Sequence, residues 1–215
     1  MAEIFDALLY WTPYLAGGFA MNLLVTAAAI AFGSALGIPL AYGRLGGRPR
    51  LRGLCQAVTA MARNIPTFVF LFYIAFLIPV EFEAFGRVYA VPGWLKASLG
   101  LSVAVVGYLS DTLVLALQDW RNGDKAAAMM HIPGAGNYLL VMVIASSTAS
   151  TIGVSEIVSR ANVIIAAVGG DYIMLATYLY AMLWFFAFCF PLTLAVRYVA
   201  RHMSSQLDIT TTTAD

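Results

Sequence analysis

From Phe19 to Tyr42 the chain runs without a single charged residue. A helix needs about 20 predominantly apolar residues to cross the hydrocarbon layer of a bilayer, and this stretch is long enough. Inside lipid every backbone N–H and C=O must find a partner within the protein, which restricts such a stretch to helix. Further crossings are predicted at Thr67 to Val80, helped by the residues before it, at Ala97 to Gln118, at Asn137 to about Val154 and at Tyr172 to Val196. Composition agrees: 61% of the residues are hydrophobic and 11% charged, against about 25% charged in a soluble domain. The predicted fold class is an all-α membrane protein with five transmembrane helices. A net charge of +1 provides no overall field to attract nucleic acid.

Residues 1–18 mix apolar and aromatic side chains with Pro13 and end at Gly17-Gly18. They read as an external interfacial segment, because Tyr and Trp favour the headgroup level. No basic residue precedes the first apolar run, so a cleavable signal is not expected and the segment is kept as mature chain. Gly33 and Gly37 form a small-xxx-small face, open to a specific helix contact or to ordinary helix packing.

The loop GRLGGRPRLRG then crowds Arg44, Arg48, Arg50 and Arg52 together. Such a cluster marks the cytoplasmic side, which accounts for it; recognition of anionic lipid is the sharper alternative. With the N-terminus outside and the C-terminus inside, nine of the twelve basic residues fall inside, and only Arg87, Lys96 and Arg160 fall outside. On this scheme residues 19–199 are the transmembrane domain, and 119–136 is a cytoplasmic loop. The segment after Val80, with Glu81, Glu83, Tyr89 and Trp94, and the segment 155–170 are external. Residues 200–215 form a polar cytoplasmic tail expected to be disordered.

The stretch from Gly123 to Ile157 organises the rest. A breaker-rich loop (Gly123, Pro133, Gly134, Gly136) leads into an apolar run that ends in hydroxyls, Gly153 and one acid, Glu156. A polar break ending a hydrophobic span normally faces a cavity or other protein. The candidate solute-path residues are therefore Asp111, Ser146, Ser147, Ser150 and Glu156. An acid at the centre of a membrane helix costs about 2.5–3.5 kcal/mol, so Asp111 should face protein or water. Its role is open between the path and a structural bond to a neighbouring span. For Glu156, recognition of a solute amine stands against capping or interface contacts. Any single serine or threonine, and amides such as Asn22 and Asn162, can equally be satisfied within their own helices.

Cys55 and Cys189 read as packing residues, and His131 and His202 as solvated loop residues, with no metal-ligand spacing among them. No phosphate-binding G-x-x-x-x-G-K-[ST] loop is present, and Lys96 and Lys125 are the only lysines. The chain is therefore not expected to hydrolyse ATP or to bind a cofactor itself.

Three elements carry a resemblance. Arg63-Asn64-Ile65-Pro66 breaks the amphipathic approach of Leu54 to Ala62 and precedes the apolar TFVFLFYIAFLIP, Tyr108-Leu109-Ser110-Asp111 sits in the third span, and Ser146 to Glu156 reads SSTASTIGVSE. In that order and spacing, from Leu15 to Arg201, the chain resembles the membrane-permease subunits of bacterial ATP-binding-cassette importers for polar amino acids and opines.

That resemblance implies a type I importer permease fold in the bacterial inner membrane. It also implies a second permease subunit, identical or not, two ATPase subunits that hold ATP and magnesium, and an extracytoplasmic solute-binding protein. A cytoplasmic helix before the fourth span would transmit the ATPase motion, which places Gly123, Lys125, Ala126, Ala127, Ala128 and His131 at the coupling contact. Here the chain departs from the family. Its glutamate-alanine-alanine motif is replaced by Ala126-Ala127-Ala128, and Val114, Leu115 and Ala116 replace an arginine and paired glycines. A full-length coupling helix is not expected between Gly123 and Pro133. The alternative is thus a non-coupling scaffold or regulatory subunit of the same ancestry, and a non-identical partner permease is favoured. A channel or ion-driven carrier would call for an internal repeat and more buried acids.

Overall fold

One proline sets the sharpest break in the chain. The computed structural model describes residues 2–170 and 172–212. Helices α2 (Pro49–Asn64) and α3 (Thr67–Leu77) meet at a 99° bend. Pro66 has no N–H to continue α2, and its ring pushes the preceding residue out of helical space. Ile65 accordingly sits at φ −87°, ψ 129°. With 11 residues, α3 rises only about 16 Å, short of the ~30 Å hydrocarbon core. The predicted second crossing is therefore a short helix set at a sharp angle to α2, not one straight helix.

Four helical stretches are long and apolar enough to cross: Ile4–Leu45, Gly93–Arg121, Lys125–Ile152 and Ile173–Ser204, with the bent pair as a fifth. The first belongs to α1 (Ala2–Leu45). Among the described residues the predicted interfacial segment 1–18 is not separate, because α1 continues through Pro13 and Gly17-Gly18. The glycines mark close approach instead: a Cβ on Gly18 would lie 2.8 Å from the Cα of Ile157.

Helix α4 (Gly93–Arg121) runs parallel to α1, with Val25 beside Ser98 near one end and Arg44 beside Asp111 near the other. Between them, a Cβ on Gly33 would fall 2.4 Å from that of Val105, so Gly33 makes a specific helix contact. Helix α3 runs back along α4, with Leu71 against Gly100. The segment after α3 forms a hairpin that the sequence did not announce, β1 (Glu81–Ala84) paired antiparallel with β2 (Arg87–Ala90). Phe85 (φ 53°) and Gly86 (φ 71°) turn it, the mirror-image turn whose twist suits two strands.

The predicted loop 119–136 is corrected to a short turn. Gly123 (φ 89°) reverses the chain, Asp124 accepts from the Ala127 N–H at 2.9 Å, and α5 (Lys125–Ala145) runs straight through Pro133, Gly134 and Gly136. Losing one backbone bond at Pro133 is offset by packing: a Cβ on Gly136 would sit 2.7 Å from Val196 of the last helix. After α5 come a 3₁₀ helix (Ser146–Ile152), α6 (Ile157–Val168) and α7 (Ile173–Thr212). The tail expected to be disordered continues α7 to Thr212, since neither Gly nor Pro follows Pro191 to stop it. Residues 213–215 lie outside the described residues.

The core has two parts. One joins α1, α3, α4 and α5 through Val25, Leu71, Leu101, Val105 and Met142. The other joins α1, α6 and α7 through Leu15, Phe19, Ile157, Ile164 and Ala181. Trp184, Phe185 and Phe188 pack on Phe19, while Phe186 and Phe190 of the same run stay exposed, as lipid contact would require.

Candidate functional site

Helix α5 does not fray; it tightens. The hydroxyls of Ser146, Ser147, Thr148, Ser150 and Thr151 each donate to the carbonyl three residues back, at 2.6–2.9 Å. These bonds compete with the α-helical ladder and favour the narrower 3₁₀ winding. Gly153 then adopts φ 85° and ends it, with its N–H on the Ser150 carbonyl. All but the buried Ser146, which accepts from Asn22, keep lone pairs free to accept from water or a solute.

A buried polar knot sits beside that break. The Asn22 amide donates to Ser146 Oγ and to Glu156 Oε2, both at 3.0 Å, and its oxygen accepts the Ile157 N–H at 3.2 Å. Glu156 caps α6 by accepting the N–H groups of Ser159 (2.8 Å) and Val158 (3.1 Å). None of the three side chains reaches the surface. Burial pushes the Glu156 carboxyl above its ordinary value, opposed by the bonds from Val158, Asn22 and Ser159. Of the two readings of Glu156, this is the capping geometry. One amide thus ties α1, the 3₁₀ helix and α6 together.

Asp111 lies elsewhere. Along α1, Arg44 is about 33 Å from Asn22, and Asp111 is at the Arg44 level. One carboxylate oxygen takes Arg44 Nη1 at 2.6 Å and the other takes Arg63 Nη1. Arg44 also donates to Ser110 Oγ, which bonds Thr59 at 3.0 Å. Both oxygens are therefore engaged in a clamp across α1, α2 and α4, the structural alternative for this residue. Tyr108, three residues earlier, stacks flat on Tyr138 of α5 with ring centroids 3.7 Å apart. The YLSD element stitches four helices.

At the α4–α5 turn the predicted coupling residues stand together. Gly123 forms the turn, Lys125 lies over the Trp120 ring, and Ala126, Ala127 and Ala128 make the first helical turn, with Ala128 buried. His131 is corrected from a solvated loop residue. It lies on α5, half-buried, with Nε2 3.0 Å from Asp119 Oδ2 of α4. Trp120, Met129, Met130 and Ile132 are exposed around it.

Two cavities flank the hydroxyl segment. A groove of about 500 Å³ between the 3₁₀ helix and α6 is lined by Ser150, Thr151, Ser159 and Asn162 with Val163 and Ala166. A second of about 480 Å³ is walled by Ala75, Phe76, Lys96, Thr151 and Ile152, among others. Lys96, read from sequence as an external loop cation, is 6% exposed and donates to the Ile78 carbonyl at the end of α3. The structure brings Ser146 to Glu156, sets Ser150 in the groove, leaves Ser147 bonded to its own helix, and keeps Asp111 apart. Asn22, read as an amide satisfiable within its own helix, instead bonds across to Glu156 and Ile157, and the burial of Lys96 was not foreseen. Their one signal was a polar side chain within or bordering an apolar run.

No protein-family model matches the chain. A relative from Bacillus subtilis (strain 168), named "Probable amino-acid ABC transporter permease protein YckA", is 23% identical over 197 residues, covering 82% of this chain and 83% of the relative. A chain of the solved structure "Crystal structure of an amino acid ABC transporter with histidines" superposes with a TM-score of 0.75 at 18% identity, over 92% of this chain and 98% of that one. A chain of the inward-facing MetNI methionine ABC transporter gives 0.60 at 15% identity, over 88% and 95%. This chain has the ABC-importer permease fold. Within that fold the hydroxyl break, the buried knot and the YLSD clamp all join helices that are separate in sequence. The permease fold and the apolar helices make it a multi-pass membrane protein.

Proposed function

We propose that this chain is the transmembrane subunit of an ATP-driven importer in the bacterial inner membrane. It would form half of the path for a polar amino acid or related small solute delivered by a binding protein. ATP hydrolysis would belong to separate ATPase subunits. The observation that carries this reading is the end-to-end likeness, in order and length, to a chain of an amino acid ABC transporter. The hydroxyl-lined groove beside a broken crossing helix gives the path a polar wall without any charge in lipid. A second permease subunit would close that wall from the other side.

The α4–α5 turn supports coupling through this chain. An Asp-capped helix starts at Lys125 and continues unbroken into the crossing, so a push on its first turns would travel into the 3₁₀ break. The scaffold reading keeps two supports: the glutamate of the family motif is absent, and only Asn122–Asp124 separate α4 from α5.

Reconstitution in liposomes with the ATPase and binding protein tests the proposal. Solute-stimulated hydrolysis together with uptake is the expected result; hydrolysis without uptake, or no association with an ATPase, overturns it. A crosslink from Ala127→Cys to the ATPase separates coupling from scaffolding, since a scaffold forms none.

A further inference from the structure

Helix α2 carries more than insertion requires. Arg48, Arg50 and Arg52 are exposed at its start, none has an acidic partner among the described residues, and α2 contains no acid at all. On one flank Leu54 (63%), Val58 (39%) and Met61 (60%) are bare at helical spacing. The adjoining flank, Cys55, Thr59 and Ala62, is buried, so α2 is anchored between the end of α1 at Gly43 and the Gly107–Asp111 stretch of α4, with its apolar stripe left over. Because α3 lies along α4 and α2 leaves it at 99°, α2 runs across the bundle and not through it.

We infer that α2 is an interfacial helix whose arginine cluster binds the phosphate of anionic phospholipid headgroups while its bare stripe dips into the acyl boundary. An amphipathic helix lying flat, with cations beside an apolar face, has the form that holds to anionic bilayer surfaces. Marking the cytoplasmic side needs the arginines but neither the bend nor the stripe. A second copy of this chain is a poor occupant, since a two-fold contact would set one arginine cluster against the other. Charge complementarity selects the lipid.

The full-length protein is placed in nanodiscs holding equal amounts of phosphatidylglycerol and phosphatidylcholine, and the retained lipids are counted by native mass spectrometry. Phosphatidylglycerol is expected to be retained in preference. In R48Q/R50Q/R52Q that preference should fall about tenfold or more. R48K/R50K/R52K, which keeps the charges, should preserve it, and so should R197Q/R201Q, which removes exposed cations from α7 at the same end. Equal retention of both lipids by the unaltered protein overturns the inference. So does survival of the preference in the glutamine triple variant, or an equal loss in R197Q/R201Q. A disulfide between copies carrying Leu54→Cys, without lipid preference, would assign the stripe to a protein partner instead.

Discussion

Asn22 of α1 donates its amide to Glu156, the cap of α6, at 3.0 Å, and neither side chain is reached by solvent. The two residues are far apart in sequence, yet the end of the fourth crossing hangs on this bond. Removing Asn22 leaves a carboxylate, a serine hydroxyl and the Ile157 N–H short of a partner. Asn22→Ala should therefore cost about 2–4 kcal/mol, read as a lower Tm in detergent. Asn22→Asp should be worse at neutral pH, because it sets a second carboxylate against Glu156, and should recover on acidification. A silent Asn22→Ala would remove the knot from the account.

Glu156 itself gives a pH signature. Its folded-state value is raised above 4.5, first by burial. A raised carboxyl contributes stability that is complete below the unfolded value and is lost as pH rises through the folded value. Relative to Glu156→Gln, the unaltered protein should thus gain Tm as pH falls across the window above 4.5. Parallel Tm–pH curves for the two proteins would contradict this.

At Gly33 the prediction is steric. Gly33→Ala puts a methyl group 2.4 Å from Val105 Cβ, and overpacking of this kind costs about 1–3 kcal/mol. Val105→Gly, which removes that Cβ and the Cγ1 behind it, should restore part of the loss in the double variant. Additivity of the two changes in a thermal-stability cycle would show that the helices simply move apart.

The Asp111 clamp should be asymmetric. Arg44 is 17% exposed, Arg63 is 60% exposed and Asp111 is 21% exposed. Asp111→Asn should cost about 1–3 kcal/mol, since two guanidinium groups lose their counterion. Arg63→Gln should cost under about 1 kcal/mol, because an exposed pair is screened by water. Equal losses from Arg44→Gln and Arg63→Gln in denaturant titrations would argue against that division.

Much of the architecture was legible in the residues. Lipid enforces length and apolarity, so Phe19–Tyr42 and Tyr172–Val196 announced themselves as crossings, and Pro66 announced the bend. The hydroxyl run before Gly153 foretold a broken end because serine and threonine compete locally for backbone carbonyls. Pro133 misled for the converse reason. Local propensity counts it as a stop, but helix packing at Gly136 and Val196 outweighs one missing backbone bond.

Sequence by itself determined which segments enter the membrane, where one of them bends and where another loses its α-helical winding, since those follow from local sterics and from the cost of bare backbone in hydrocarbon. Only the tertiary structure decided which partner each isolated polar group would take. Asp111 met two arginines, Glu156 met Asn22, and His131 met Asp119. A lone charge or amide in an apolar helix must be answered by some neighbour, and which neighbour depends on how helices distant in sequence cross.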